Sequence, residues 1–193
     1  MTLYGQSSPQ APSPKPQVPT IHLQSPLEGV AAPTVTSSFG ERRLTHLHSG
    51  YDFSTSEEIG WRVVAPADGE IYRMKIEKRG YGNALYIRHA NGFSTNYGHL
   101  FGYEDEVLGL GKLVKKAQAS SGSRYPGDIY PDPPIKVKAG QLVAFTGEAG
   151  VGMPHLHFEL RLNEEPVDPA VYSDIKVDGT GRVEIPALWV TVT

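Results

Sequence analysis

The sequence predicts a mainly β domain built from antiparallel strands, and three observations carry this prediction. Glycine (21) and proline (16) are abundant among the 193 residues, which is typical of short strands joined by turns. Several segments alternate between apolar and polar residues with a period of two. No segment keeps the 3.6-residue period of an amphipathic helix.

Turn signals and alternation together place the individual strands. The predicted strands are residues 62–67, 69–74, 83–89, 93–99, 141–146 and 155–162. The first two flank a turn at Asp68-Gly69. The third and fourth flank Asn91-Gly92, a dipeptide that strongly favours a two-residue hairpin turn.

Composition divides the chain into three parts. Residues 1–26 are rich in proline, serine, glutamine and alanine, which favours an extended linker or arm over a packed core. Residues 27–172 form the predicted domain. Residues 173–193 contain two further strand patterns, 174–177 and 182–192, which are either edge strands or the start of a truncated second β-domain.

The pattern breaks between Leu100 and Lys136, so residues 101–136 are predicted to be an insertion. Glycine and proline recur through it, which indicates a long loop without regular structure. Loops of this length are uncommon in compact domains and are often functional. A short helix within residues 102–119 is the one exception that we expect.

Charge and composition exclude several classes of function. The net charge of −3 is too small to indicate a nucleic-acid or anionic-membrane partner. No run of about 18 apolar residues is present, so no membrane span is predicted. The first residues lack the apolar core of a signal peptide, so no export signal is visible in this chain. Because the chain has no cysteine, a zinc site would use nitrogen and oxygen ligands.

Residues 155–162 carry the most informative pattern. In a strand, alternate side chains share a face, so His155, His157, Glu159 and Arg161 point one way. Leu156, Phe158, Leu160 and Leu162 then point towards a core. A histidine pair at this spacing fits two exposed strand residues equally well, but the clean alternation favours two imidazoles at the floor of a groove.

A histidine and an aspartate four residues apart form a second candidate. His48 and Asp52 flank Gly50, and both can reach one ion if the segment is extended or turning. His46 would share a face with His48 in a strand, so spacing alone does not choose between them. We expect His46 to be an ordinary surface residue.

His99 is the third candidate, at the end of the strand over residues 93–99. The alternation places it on one face with Phe93, Thr95 and Tyr97, and a hydrogen-bonded structural role fits it equally well. His89 is expected to serve structure, and His22 lies in the proline-rich arm without an assigned role.

These three histidine segments and the residues around them resemble the lysostaphin-type zinc metallopeptidases, which are peptidoglycan endopeptidases. The resemblance runs from Phe39 to Pro169. The motifs that carry it include His48-x-Gly50-x-Asp52-Phe53, Gly80-Tyr81-Gly82-Asn83, Thr95-x-Tyr97-Gly98-His99-Leu100, Val137-Lys138-Ala139-Gly140-Gln141 and Pro154-His155-Leu156-His157-Phe158-Glu159.

The resemblance implies a role for each of the five site residues. His48, Asp52 and His157 correspond to the family's three ligands for Zn2+, and His99 and His155 to its two catalytic histidines. All five positions are filled, unlike in the degenerate members that activate other enzymes. The implied fold is an antiparallel sheet groove, barrel-sandwich-like and walled by long loops.

The resemblance also implies the setting. The expected partner is the cross-link or stem peptide of bacterial peptidoglycan, and the expected location is the cell envelope, periplasmic or secreted. We expect a monomer. The segment between His99 and His155 is longer than is usual in the family, and a loop there would border the groove.

Two other readings compete with a peptidase. The chain could hold zinc and wall peptide yet cleave poorly, as a binding or regulatory protein whose groove is covered by the insertion or the arm. A lipoyl-like carrier domain is suggested by residues 64–70, but no exposed hairpin lysine is evident to carry a cofactor.

Overall fold

The computed structural model describes residues 18–179 and folds them into two antiparallel sheets. Besides the strands there are two α-helices, α1 (Leu110–Ser121) and α2 (Pro169–Tyr172), and one turn of 3-10 helix at Ala90–Gly92. The strands are β1 (Val35–Ser37), β2 (Tyr51–Ser54), β3 (Arg62–Val64), β4 (Gly69–Ile76), β5 (Asn83–Arg88), β6 (Phe93–Gly98), β7 (Gly102–Tyr103), β8 (Gly127–Ile129), β9 (Ile135–Val137), β10 (Leu142–Phe145), β11 (His155–Leu162) and β12 (Glu165–Val167). The predicted mainly β, antiparallel class is confirmed, and the larger sheet is open, not a closed barrel.

The larger sheet contains β11 as an interior strand. Its strand order is β1-β2-β11-β6-β5-β4-β8, with β12 also paired to β11 and β9 to β4. The three-stranded sheet has the order β3-β10-β7. β11 pairs with β2 at its start and with β6 along most of its length, so it receives neighbours from two distant parts of the chain.

One face of β11 forms the centre of the core, as the alternation predicted. Leu156, Phe158 and Leu160 are completely buried. The ring of Phe158 packs between Phe53 of β2 and Tyr97 of β6, with ring centroids 5.7 and 5.6 Å away. Burial of such side chains is the main stabilising contribution, at about 1.5–3 kcal/mol each. The opposite face of β11 is therefore fixed towards the cleft.

The predicted hairpin at Asn91-Gly92 is confirmed. The strands on either side of Asp68-Gly69, in contrast, do not pair with each other. β5 and β6 pair directly, and Asn91 takes the left-handed conformation that this turn needs. β3 pairs with β10 in the small sheet, whereas β4 belongs to the large sheet, where it pairs with β5. Pro66 lies between them, and because it has no N–H it cannot continue a ladder.

The insertion is ordered, so the prediction of a long loop without regular structure was wrong. It contains β7, the twelve-residue helix α1, β8 and β9. The helix overlaps the expected range, residues 102–119, and ends two residues beyond it, although it shows only one buried residue, Leu110. β8 and β9 pair with β4, and β5 and β6 separate β4 from β11. The insertion thus extends the sheet at the edge opposite β2.

The two ends of the described region lie against each other. Ser173 and Asp178 form isolated bridges with Ile21 and Thr34, and Ile175 is buried in the core. Residues 174–177 were predicted to form a strand, but this prediction was wrong, because they make no ladder with another strand. The predicted strand at 182–192 lies outside the described residues, and the domain limits stay a prediction. Within residues 18–179, no helix is long and apolar enough to cross a membrane.

Candidate metal site and flanking histidines

Three donor atoms form a small triangle between β2, β11 and the loop before β2. Nε2 of His48 lies 3.0 Å from Nδ1 of His157 and 3.1 Å from Oδ1 of Asp52. Nδ1 of His157 lies 3.0 Å from the same oxygen. Zinc bonds to such atoms are about 2.0–2.1 Å long, so a tetrahedral ion holds its donors roughly 3.3 Å apart. The triangle therefore has the size of one face of a zinc site.

Strand register brings two of these residues together. Asp52 on β2 lies directly opposite His157 on β11, and side chains at such positions in antiparallel strands are close neighbours. His48 arrives from the loop before β2, which folds back on itself because Gly40 and Glu41 bond to the backbone of His48. His46 is exposed on that loop, so the structure separates it from His48, a choice that spacing had left open.

In their neutral forms, both histidines present an unprotonated nitrogen to the same point, because each gives its proton to an acceptor on the other side. Nδ1 of His48 donates to the backbone oxygen of Ser38 at 2.9 Å. Nε2 of His157 donates to Oε1 of Glu159, also at 2.9 Å. Each neutral ring then presents a lone pair on its other nitrogen, within about 3 Å of the other and of a carboxylate. Two lone pairs and an anion in contact need a cation between them, so this donor set fits a metal ion.

The charges at the site are strongly shifted. Burial raises the pKa of Asp52, but hydrogen bonds from His157 and His48 outweigh it and hold that pKa well below its usual range. Burial likewise opposes charging of His157, yet the hydrogen bonds to Asp52 and Glu159 raise its pKa to about 9, so a metal ion bound at Nδ1 would displace a proton from that nitrogen. The pocket thus concentrates negative charge on both sides of His157, which favours a bound cation.

His99 and His155 form a second pair beside the triangle. Their ring centroids are 4.7 Å apart, and Nε2 of His155 lies 3.6 Å from Oδ1 of Asp52. Nδ1 of each ring donates to a backbone oxygen at 2.9 Å, that of Ala149 for His99 and that of Met153 for His155. Burial lowers the pKa of His99 to about 4, so its ring is neutral. In the neutral form, Nε2 of each ring therefore carries the lone pair that proton transfer needs.

The predicted strand face of His99 was wrong, although its location at the site is right. Tyr97 points into the core, and strict alternation would send His99 the same way. Strand β6 instead ends at Gly98, and His99 takes a left-handed conformation with φ of +60°. Such a conformation costs about 1–2 kcal/mol outside glycine, and here it turns the imidazole back to the cleft.

Glu159 is a completely buried carboxylate that supports the site through its hydrogen bonds. Its Oε1 accepts hydrogen bonds from His157, from the Tyr81 hydroxyl at 2.6 Å and from the Ser49 hydroxyl at 2.5 Å. Its Oε2 accepts from Nε of Arg161 at 2.6 Å. Burial raises the pKa of Glu159, but these partners lower it further than burial raises it, so the group is a carboxylate.

Sequence reasoning missed several of these supporting residues. Nη2 of Arg43 donates to Oδ2 of Asp52 at 2.9 Å and to the Ser37 hydroxyl at 2.5 Å, and no local pattern pointed to it. Tyr81 and Ser49 lay inside motifs that were recognised, but their partners are distant in the chain. The expected structural role of His89 is borne out, because its ring bonds Asp68 and Thr95 at the other end of β6.

Fold and site together define a β-sheet protein of the metallopeptidase type, with a histidine–aspartate–histidine cluster and two further histidines at one cleft. Residues 46–122 match the family model described as Peptidase family M23. The chain belongs to this family, the lysostaphin-type zinc metallopeptidases, and the resemblance seen in the sequence is confirmed.

Two relatives of the chain differ in the function that their names describe. It is 34% identical over 149 residues to the DD-carboxypeptidase/endopeptidase Mpg of Neisseria meningitidis, over 74% of this chain and 28% of that protein. It is 29% identical over 147 residues to the murein hydrolase activator NlpD of Escherichia coli, over 76% of this chain and 30% of that protein. The chain thus spans less than a third of these relatives.

A solved structure supports the fold. The catalytic domain of lysostaphin from Staphylococcus simulans superposes with a TM-score of 0.52 and 24% identity, over 72% of this chain and 90% of that domain. This likeness shows the shared lysostaphin-type architecture.

Proposed function

We propose that this chain is a zinc-dependent endopeptidase that hydrolyses cross-link or stem peptides of bacterial peptidoglycan. The observation that carries the proposal is the pairing of a complete donor triangle with two histidines whose Nε2 atoms are free. The similarity to Mpg, whose name describes a DD-carboxypeptidase/endopeptidase, supports the substrate class.

His48, Asp52 and His157 would hold the zinc ion through the three atoms of the triangle. Zinc bound there would supply a water of lowered pKa, about 7 in comparable sites, and polarise the carbonyl to be cleaved. Three protein ligands leave a fourth position open, which is the pattern of catalytic rather than structural zinc sites. The absence of cysteine agrees with this ligand set.

His99 and His155 would handle the protons of the reaction. Hydrolysis of a peptide bond takes one proton from the attacking water and delivers one to the amine that leaves. Both rings are held by a backbone oxygen at Nδ1, so Nε2 of each can accept or return that proton. Their protonated forms can also stabilise the oxyanion of the tetrahedral stage. The two roles are not assigned between the two residues.

The proposed substrate implies the location and partner of the protein. We propose that the protein works in the cell envelope, periplasmic or secreted, as a monomer, with the wall peptide as its partner. The net charge of −3 does not indicate a nucleic-acid partner.

The test compares wild type with His48→Ala and His155→Ala in zinc content and in hydrolysis of purified peptidoglycan. His48→Ala should lose both metal and activity, because a ligand is gone. His155→Ala should keep metal and lose activity, because its ring lies beside the triangle. A wild type that takes up no zinc and hydrolyses nothing after zinc addition would refute the proposal. Mass analysis of the released muropeptides identifies the bond.

A second candidate function is a zinc-holding protein that binds wall peptide and regulates other enzymes. The similarity to the activator NlpD favours it. The presence of all five site residues favours hydrolysis instead. Deleting residues 6–19 distinguishes the two candidate functions. If the proline-rich arm covers the groove, hydrolysis appears only after the deletion. Activity of the full chain would exclude this explanation.

A further inference from the structure

Tyr81 contacts both halves of the site from a single turn. The turn joins β4 to β5, and the Tyr81 hydroxyl reaches Oε1 of Glu159 at 2.6 Å. Glu159 in turn accepts the Nε2 proton of His157, and the Tyr81 ring lies 5.4 Å from the His157 ring. The backbone oxygen of the same tyrosine accepts the N–H of His99 at 2.8 Å.

The turn has little freedom to adjust independently of these contacts. Its start is fixed by Glu77, whose carboxylate accepts the Tyr81 N–H and pairs with Lys75. A Cβ at Gly98, beneath the tyrosine, would lie 3.3 Å from both Tyr81 and His157, so the two rings are packed over bare backbone. Movement of the Tyr81 ring therefore moves the turn and its backbone oxygen.

We propose that Tyr81 is a positioning residue that couples the metal-binding histidine to the proton-transfer histidine. Its hydroxyl holds Glu159 in the orientation that keeps the His157 proton on Nε2, so that Nδ1 stays available as a ligand. Its backbone holds His99 in the left-handed conformation that faces the cleft. This inference rests on the proposed zinc-binding function.

The burial of Glu159 is a second reason to expect that the Tyr81 hydroxyl matters. Oε1 of Glu159 has three donors in a space with no solvent exposure, so a lost donor has no water to replace it. Ser49 supplies the remaining neutral donor and follows the ligand His48 directly. The network therefore reaches two of the three proposed ligands.

Tyr81→Phe tests the proposal because it removes only the hydroxyl. Zinc affinity, measured by competition with a chelator, should fall by about tenfold or more, as for other outer partners of metal ligands. The His99 amide should exchange its hydrogen faster, because the turn has lost its anchor. Ser49→Ala should weaken zinc binding without changing exchange at His99.

Tyr72→Phe is the matched control. Its hydroxyl bonds the exposed Glu164, in the turn between β11 and β12 and away from the site, so zinc affinity and His99 exchange should match wild type. Unchanged zinc affinity in Tyr81→Phe would overturn the proposal. A lower affinity with unchanged exchange at His99 would overturn the coupling and leave Tyr81 as part of the metal site alone. A wild type that binds no zinc would instead refute the proposed function.

Discussion

Nε2 of His48 and Nδ1 of His157 lie 3.0 Å apart, although 109 residues separate the two histidines in the chain. In the neutral form each ring gives its proton to an acceptor on the far side, so both lone pairs face the same point. The carboxylate of Asp52 completes this arrangement at 3.0 and 3.1 Å. The relationship explains why the pocket favours a cation.

Removing the charge of Asp52 should abolish tight zinc binding. Asp52→Asn keeps the size of the side chain but replaces an anionic ligand by a neutral amide. The loss of zinc affinity should exceed the tenfold to hundredfold that an outer partner of a ligand is typically worth, about 1.4–2.8 kcal/mol. Chelator competition measures it. Asp174→Asn, at an exposed carboxylate paired with His22, is the control and should bind zinc as wild type does.

A methyl group at Gly82 should disturb the orientation of His99. A Cβ there would lie 2.1 Å from the backbone oxygen of Ala149, the atom that accepts the His99 Nδ1 proton. Gly82→Ala must displace that oxygen, and displacement by about 1 Å can cost on the order of a hundredfold in turnover. Peptidoglycan hydrolysis at saturating zinc measures the effect.

The control for Gly82→Ala is Gly122→Ala. Gly122 has φ of +65°, close to the +63° of Gly82, but a Cβ there meets nothing within 4 Å. The control therefore carries the left-handed strain alone, about 1–2 kcal/mol, without the collision. Equal turnover in the two variants would show that the Ala149 oxygen does not position His99.

His89 should make the fold sensitive to acid. Its ring is buried, and burial lowers its pKa in the folded protein below the unfolded value of about 6.5. A depressed pKa stabilises the fold above the unfolded pKa, and this contribution is lost as pH falls from about 6.5 towards the folded pKa. Urea unfolding at pH 7.5 and at pH 5 should therefore show a smaller acid loss in His89→Gln than in wild type.

Comparison with His46→Gln isolates the effect of burial on His89. His46 is exposed, so its replacement should leave the acid loss of the wild type unchanged. If His89→Gln and wild type lose the same unfolding free energy between the two pH values, the neutral buried state of His89 does not contribute. The 2.8–2.9 Å bonds to Thr95 and Asp68 make that result unexpected.

Local patterns predicted those features that depend on local physics. The alternation of residues 155–162 correctly separated Leu156 and Phe158 in the core from His155 and His157 at the cleft, because side-chain direction in a strand repeats every two residues. The Asn91-Gly92 hairpin followed from turn chemistry in the same way. The helix α1 was harder to predict from the sequence, because it lies at the edge of the sheet with one buried residue and has a weak apolar pattern.

Sequence patterns identified the chemical inventory of this protein: four histidines, an aspartate and the strand that orients two of them. Which of their atoms meet depends on the tertiary structure. Asp52 faces His157 through strand register, and His99 reaches the cleft through one left-handed residue. Tyr81 and Ser49 enclose Glu159 from segments 78 and 110 residues away. Such contacts depend on long-range pairing and on backbone conformation, which residue periodicity does not specify.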